Sequence, residues 1–351
     1  MSVFSKLRDF FGRHRGKFIV GGVLVGGSIL LTRYAQQRLK DWQERETRDF
    51  LERTRKQQHF ESTERTCNQT ILSLSGTLFK TLNSAMDTQI IINELKSNPE
   101  NANKLELWNR LRLLVLSRIT CLIYMSVMLV VTLRVQLNIV GGYLFKDANA
   151  VSTHVQETYL SLCNNLLDSG LQTIADLVEG QFDKLLENIQ LSKKMRLRDF
   201  DNLFWSIQTL VTTCNGNPVE KFKDYIITNN IPNDDLILNN MIRDTADLLE
   251  SDEVKSLTSH CLSRGFTLVS DELSHFYLSN TDKSKEVPEG TQLNGFVHPG
   301  EVKIPFAKVL PIMNAMTANG SLPDTLITQL IMNERLKTLG ANVYECFSET
   351  A

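Results

Sequence analysis

The sequence predicts an all-α protein, a large elongated bundle of long helices with an N-terminal transmembrane anchor. Three observations carry that prediction. An uncharged, glycine-rich run at residues 18–31 lies between two basic clusters. The stretch from Asn103 to Val140 contains neither glycine nor proline. Elsewhere apolar residues recur at steps of three and four, and no segment alternates convincingly with period two.

The elements follow in order. Residues 1–17 form a short basic segment with Lys6, Arg8, Arg13, Arg15 and Lys17. The anchor is placed at 18–34. It begins FIVGGVLVGGSILL and is followed by Arg33, Arg38 and Lys40. A full span uses about 20 apolar residues, so this one is short, and flanking Lys and Arg that snorkel outward lengthen it. A signal peptide has the same basic-then-apolar order, but Thr-Arg-Tyr-Ala-Gln-Gln after Leu31 is a poor cleavage site. A soluble core helix is the third reading, and Gly21, Gly22, Gly26 and Gly27 weigh against it. Basic residues balance on the two sides, so charge leaves the orientation open. Everything large enough to fold lies C-terminal, and that side should hold the function.

Residues 35–60 read as a charged stalk helix and 61–351 as a helical bundle. Ile71, Leu74, Leu78, Leu82 and Met86 make an amphipathic helix over 66–96, broken at Pro99. Asn103 with Glu106 three residues on is a capping box for a helix of about 35 residues, near 50 Å long. Its middle, Ile119–Leu133, is uncharged between Arg118 and Arg134. A core helix buried on nearly all sides explains that run better than a second span, because Thr120, Ser126 and Thr132 interrupt it. Gly141-Gly142 is its expected stop. Further helices are expected at 151–191, 196–213, 219–228, 234–250, 252–279, 305–317 and 322–339. A polar loop covers 280–303, and a last turn follows Gly340.

Composition excludes several function classes. The 351 residues carry a net charge of −2, with 42% hydrophobic and 22% charged residues, which is ordinary for a globular chain. Residues 1–65 hold 14 Lys/Arg against 8 Asp/Glu, so a basic end suited to lipid headgroups sits on an acidic body. A solvated basic helix is the plainer alternative. The basic helix lacks interleaved aromatics, so nucleic acid is poorly supported. Cys67, Cys121, Cys163, Cys214, Cys261 and Cys346 form no C-x-x-C pair and read as free thiols. No H-E-x-x-H or G-x-S-x-G motif occurs. Gly12-Arg-His-Arg-Gly16-Lys17 is one residue short of a phosphate loop and follows no strand. His260 and Cys261 are adjacent and point about 100° apart on a helix. No metal, cofactor or catalytic residue is therefore expected. Trp108, in the first turns of the long helix, is either a core residue or an anchor for a partner's helix.

The segments HFESTERTCNQTILSL (59–74), NKLELW (103–108), MLVVTLRVQLNIVGGYLF (128–145) and ANVYECFS (341–348) resemble the peroxin-3 family. The similarity extends over nearly the whole chain and is weakest across 190–300. It implies a single-pass protein of the peroxisomal membrane with its bulk in the cytosol, in contact with membrane lipids. It implies a docking receptor for the chaperone peroxin-19, whose N-terminal amphipathic helix enters a groove, and no catalysis. The resemblance places Trp108, Lys104, Leu111 and Leu95 in that groove. It adds Asn138, Gly141 and Gly142 from the Asn-Ile-x-Gly-Gly run, and Lys308 from FAKVLPI. Inheritance or autophagy adaptors are further partners in the family. A membrane tether at another organelle is the alternative, and a membrane-bound lipid-processing enzyme is a more distant one.

Overall fold

The computed structural model describes residues 15–97, 103–227, 235–281, 302–318 and 321–349, with side chains withheld at 15–32, 35, 280 and 281. Contacts divide the chain into two units, Met1–His59 and Phe60–Ala351. Helix α1, Arg15–Ala85, runs from the first into the second. In the first unit the described side chains between 33 and 53 are all exposed, including Trp42 and Phe50. The anchor segment 18–31 is helical in backbone, and its side chains lie outside the described residues.

The second unit is built around α3, Lys104–Lys146. Every residue from Val115 to Gly142 is buried. Among the described residues α3 alone is long and apolar enough to cross a membrane, and its burial identifies it as the axis of the core. Around it pack α2 (Gln89–Ser97), α4 (Thr153–Leu160), α6 (Leu171–Leu186), α9 (Leu236–Glu250), α10 (Asp252–Thr281), α11 (Phe306–Ala318), α12 (Leu322–Ile331) and α13 (Glu334–Ser348). Helix α13 lies against it most extensively. Between α4 and α6 stand a single turn, α5 (Cys163–Asn165), and a π-helical bulge, Leu166–Gly170. Helices α7 (Leu197–Thr213) and α8 (Phe222–Ile226) complete the unit.

Several element boundaries differ from the expected ones, each for a local reason. Residues 35–60 and 66–96 do not form separate helices, because α1 passes through both and stops at Ala85. There Asp87 Oδ1 accepts from Gln89 N at 2.8 Å and starts α2 afresh. Gly141-Gly142 does not end α3, which continues to Lys146, and Asn103 makes no side-chain cap. The expected helix over 151–191 is broken by the bulge. The helix expected over 322–339 is two helices, since Asn333 caps α13 by accepting from Arg335 N and Leu336 N. Gly340 sits inside α13 instead of after it. A two-stranded antiparallel pair was not anticipated. It joins β1 (Lys194–Met195) to β2 (Ile304–Pro305), with Met195 opposite Ile304.

Some of the polar side chains buried on and beside α3 pair between elements, while the hydroxyls of Ser117, Thr120, Ser126 and Thr132 have no hydrogen-bond partner among the described residues. Arg134 is fully buried and donates to the Glu64 carboxylate, to Asn68 Oδ1 (2.8 Å) and to Ile331 O (3.3 Å). Gln136 Nε2 reaches Tyr159 O at 2.9 Å, and the Tyr159 hydroxyl meets Thr245 Oγ1 at 2.6 Å. Such groups destabilise the fold unless satisfied, so they specify which helices meet.

Candidate partner-docking site

On an α-helix, Lys104, Trp108, Leu111, Arg112 and Val115 fall within an arc of about 100°. From Val115 onward that line is buried in the body. Toward the N-terminus it emerges. Leu111 and Arg112 are still buried, Trp108 is half-buried against the core, and Lys104 is exposed. The inward face of α3 thus continues beyond the core for two turns through Leu111 and Trp108 and ends at exposed Lys104. Leu105, beside Trp108 on the same helix, is 69% exposed. Helix α2 packs on α3, with Ile91 buried and Ile92 and Leu95 half-buried.

Two arginines tie this end together. Arg112, one turn after Trp108, donates to Leu186 O at 3.3 Å and to Ile189 O. It thereby caps the C-terminal end of α6, where a cation is favoured. Burial lowers its pKa, and Asp183 opposes the shift. The chain beyond α6 then meets the start of α11, with Ala307 N donating to Leu191 O (3.1 Å) and Phe306 N to Lys193 O (2.9 Å). Lys308 is exposed in that first turn of α11. Arg118, deeper in the body, bonds to both α11 and the residue preceding α2.

Trp108, Lys104 and Leu111 thus share the emerging face of α3, Leu95 stands on the helix that packs against it, and Lys308 stands on a helix whose start is tied to the chain beyond α6. Asn138 and Gly142 are elsewhere, roughly 45–50 Å farther along α3 at 1.5 Å per residue. Both are buried. Asn138 Nδ2 donates to Arg134 O at 2.8 Å and lies against Gly340. Gly142 faces the backbone of Phe347, and Gly141 faces Thr63. These positions hold α1, α3 and α13 together, so their assignment to the groove is corrected to a packing role. Close approach of two helices leaves no room for a Cβ there.

Arg112, Thr88, Asn314 and Leu105 were not singled out from the sequence. Arg112 and Arg118 carried a usable signal, because a charged residue on the inward face of a buried helix must find partners. Their acceptors on distant elements carried none. No group of three or more metal-ligating side chains occurs among the described residues. A cavity of about 320 Å³ between α7 and α10 is lined by Tyr124, Gln208, Thr212, Asn217 and Ser259. The Gln208, Thr212, Asn217 and Ser259 side chains already donate to nearby backbone carbonyls.

Known proteins resemble this chain along nearly its full length. The Peroxin-3 family model matches residues 9–103, 96–145 and 143–345. The chain is similar to peroxisomal biogenesis factor 3 of Rattus norvegicus, at 31% identity over 97% of this chain and 96% of that one. It is similar to peroxisomal biogenesis factor 3 of Homo sapiens at 30% over 97% and 96%. The peroxisome biogenesis protein 3-2 of Arabidopsis thaliana is 26% identical over 90% and 92%. An all-helical body built on one buried axis, matched along nearly its full length, places this chain in the Peroxin-3 family of peroxisome biogenesis factors.

Proposed function

We propose that this chain is a docking receptor on the peroxisomal membrane. It takes the N-terminal amphipathic helix of peroxin-19 into the apolar end formed by α2 and the first turns of α3. The observation that carries this reading is the inward face of α3 running out of the core, with Trp108 half-buried and Leu105 exposed. An incoming helix would complete the burial that the body leaves unfinished, and an aromatic anchor in such a place dominates binding. Exposed Lys104 and Lys308 stand where they would meet the acidic side of that helix. The basic segment and the apolar run at 18–34 hold the receptor on the membrane, with the helical body in the cytosol.

Titration calorimetry of the full chain in detergent with a synthetic peptide of the partner helix tests this. Trp108→Ala is expected to weaken binding by about 2–4 kcal/mol, roughly 30- to 1000-fold. An unchanged dissociation constant, with the helical circular dichroism intact, would refute the site.

A further inference from the structure

Arg118 lies ten residues after Trp108 on α3, about 15 Å deeper, and is buried. Its guanidinium is held by neutral oxygens from two other elements. Nε donates to Thr317 Oγ1 at 2.9 Å, and Nη2 donates to Asn314 O at 2.9 Å and Asn314 Oδ1 at 2.8 Å, all on α11. Nη1 donates to Thr88 Oγ1 at 3.3 Å, immediately before α2. The ring closes because Thr88 Oγ1 itself donates to Asn314 Oδ1 at 2.9 Å. Three elements are thus bonded to one another around a single side chain.

Stability alone is a poor explanation for this charge. Burial pulls its pKa down to about 10, against the opposing pull of Asp87. An apolar side chain of similar volume would fill the space without that desolvation. What the guanidinium offers is a planar fork of donors in fixed directions. The elements it fixes are the ones that carry the docking residues. Helix α2 bears Leu95, α11 bears Lys308, and α3 bears Trp108.

We infer that Arg118 is a positioning residue for the docking end, setting α2 and α11 in register with Trp108 through Thr88, Asn314 and Thr317. The inference rests on the docking reading above and adds its internal control of shape. A residue that only packed the core would lower the melting temperature and leave affinity untouched in molecules that remain folded. A positioning residue changes affinity in folded molecules.

The test uses the full chain in detergent, labelled with 5-fluorotryptophan, and the same synthetic partner-helix peptide. Arg118→Met is expected to weaken the peptide by about 10- to 100-fold, the range of hydrogen bonds made by a charged group. Thr88→Val and Thr317→Val keep the guanidinium and remove one acceptor each, and each should weaken it by roughly tenfold. They carry the test if Arg118→Met fails to fold. Arg118→Lys should restore only part of the affinity, because an ammonium lacks the fork. The Trp108 fluorine resonance, assigned by its loss in Trp108→Phe, should move in these variants while those of Trp42 and Trp205 stay. Folded variants with wild-type affinity and an unmoved Trp108 resonance would overturn the inference. If the wild-type chain itself does not bind, the docking reading falls, and the resonance alone decides whether Arg118 orders this end.

Discussion

Gly142→Ala separates packing from docking at a position where both roles have been assigned. A Cβ there would lie 2.6 Å from Phe347 Cβ, 2.8 Å from its carbonyl carbon and 3.1 Å from its Cα. Two of these atoms are backbone, so no rotamer change relieves the clash. Helix α13 would have to retreat by about 1 Å to restore ordinary carbon–carbon contact. That retreat disturbs the stack of Tyr143 on Phe347, now 5.9 Å between centroids, and the long α3–α13 interface. Overpacking of this kind is destabilising by about 1–3 kcal/mol, and alanine's better helix propensity returns about 1 kcal/mol. With the backbone in the way the upper part of the range applies, for a net loss of about 2 kcal/mol. Gly76 in α1 is the control, because a Cβ there meets nothing within 4 Å. Gly76→Ala should gain about 0.5–1 kcal/mol. Urea unfolding in detergent, followed at 222 nm, reads both variants, and calorimetry with the partner peptide reads affinity. Gly142→Ala as stable as Gly76→Ala would refute the packing argument. So would a stable Gly142→Ala that no longer binds the peptide.

Three other outcomes are expected. Glu64→Ala strips Arg134 of its carboxylate inside the body and should lose about 3–5 kcal/mol, while Glu64→Leu combined with Arg134→Met should lose much less; a double-mutant cycle in urea measures the difference, and a loss below about 1 kcal/mol for Glu64→Ala contradicts it. Iodoacetamide at pH 8 should modify exposed Cys346 in the folded chain and spare Cys67, Cys121, Cys163 and Cys261 until urea is added. Burial pushes these four thiols up, Cys67 to about 12, so the reactive thiolate is scarce as well as shielded; mass spectrometry showing Cys121 alkylated as fast as Cys346 would contradict the burial of α3. Lys104→Glu and Lys308→Glu should each weaken the peptide by about 0.2–1 kcal/mol at low salt and less at high salt, as rim charges do; affinity indifferent to ionic strength in the wild type would remove both from the site.

The axis of the fold was readable because a run without glycine, proline or charge can only be buried in protein or in lipid. Thr120, Ser126 and Thr132 pointed to protein, and the structure buries all three. Boundaries were less readable because they depend on single side-chain caps. Asp87 and Asn333 each divide what periodicity joins. The two glycines at 141–142 illustrate the ambiguity of that residue, which can end a helix or let another helix approach. Only the position of Phe347, two hundred residues later, decides between them. At the docking end, the spacing of Lys104, Trp108 and Leu111 put them on one face before any coordinates. Whether that face was covered depended on how α2 and α11 pack on α3, where Arg118 bonds to Thr88, Asn314 and Thr317. Hydrogen bonds between residues separated by 196 and 199 positions leave no local pattern to find.

The burial of α3 has a consequence for synthesis. Helices α6 and α9 to α13, which cover much of it, all lie downstream, so the ribosome releases α3 before most of its covering exists. For that interval the nascent chain displays a largely uncovered apolar helix longer than the hydrocarbon thickness of a bilayer. Insertion machinery would meet a plausible client. Arg118 and Arg134 oppose that fate, since they bracket an uncharged stretch of fifteen residues, short of the about 20 that a full span uses, and spanning would draw them to the hydrocarbon edge at a cost. The same two side chains that bind helices together in the finished receptor thus also bias the unfinished one away from threading its own core into a membrane.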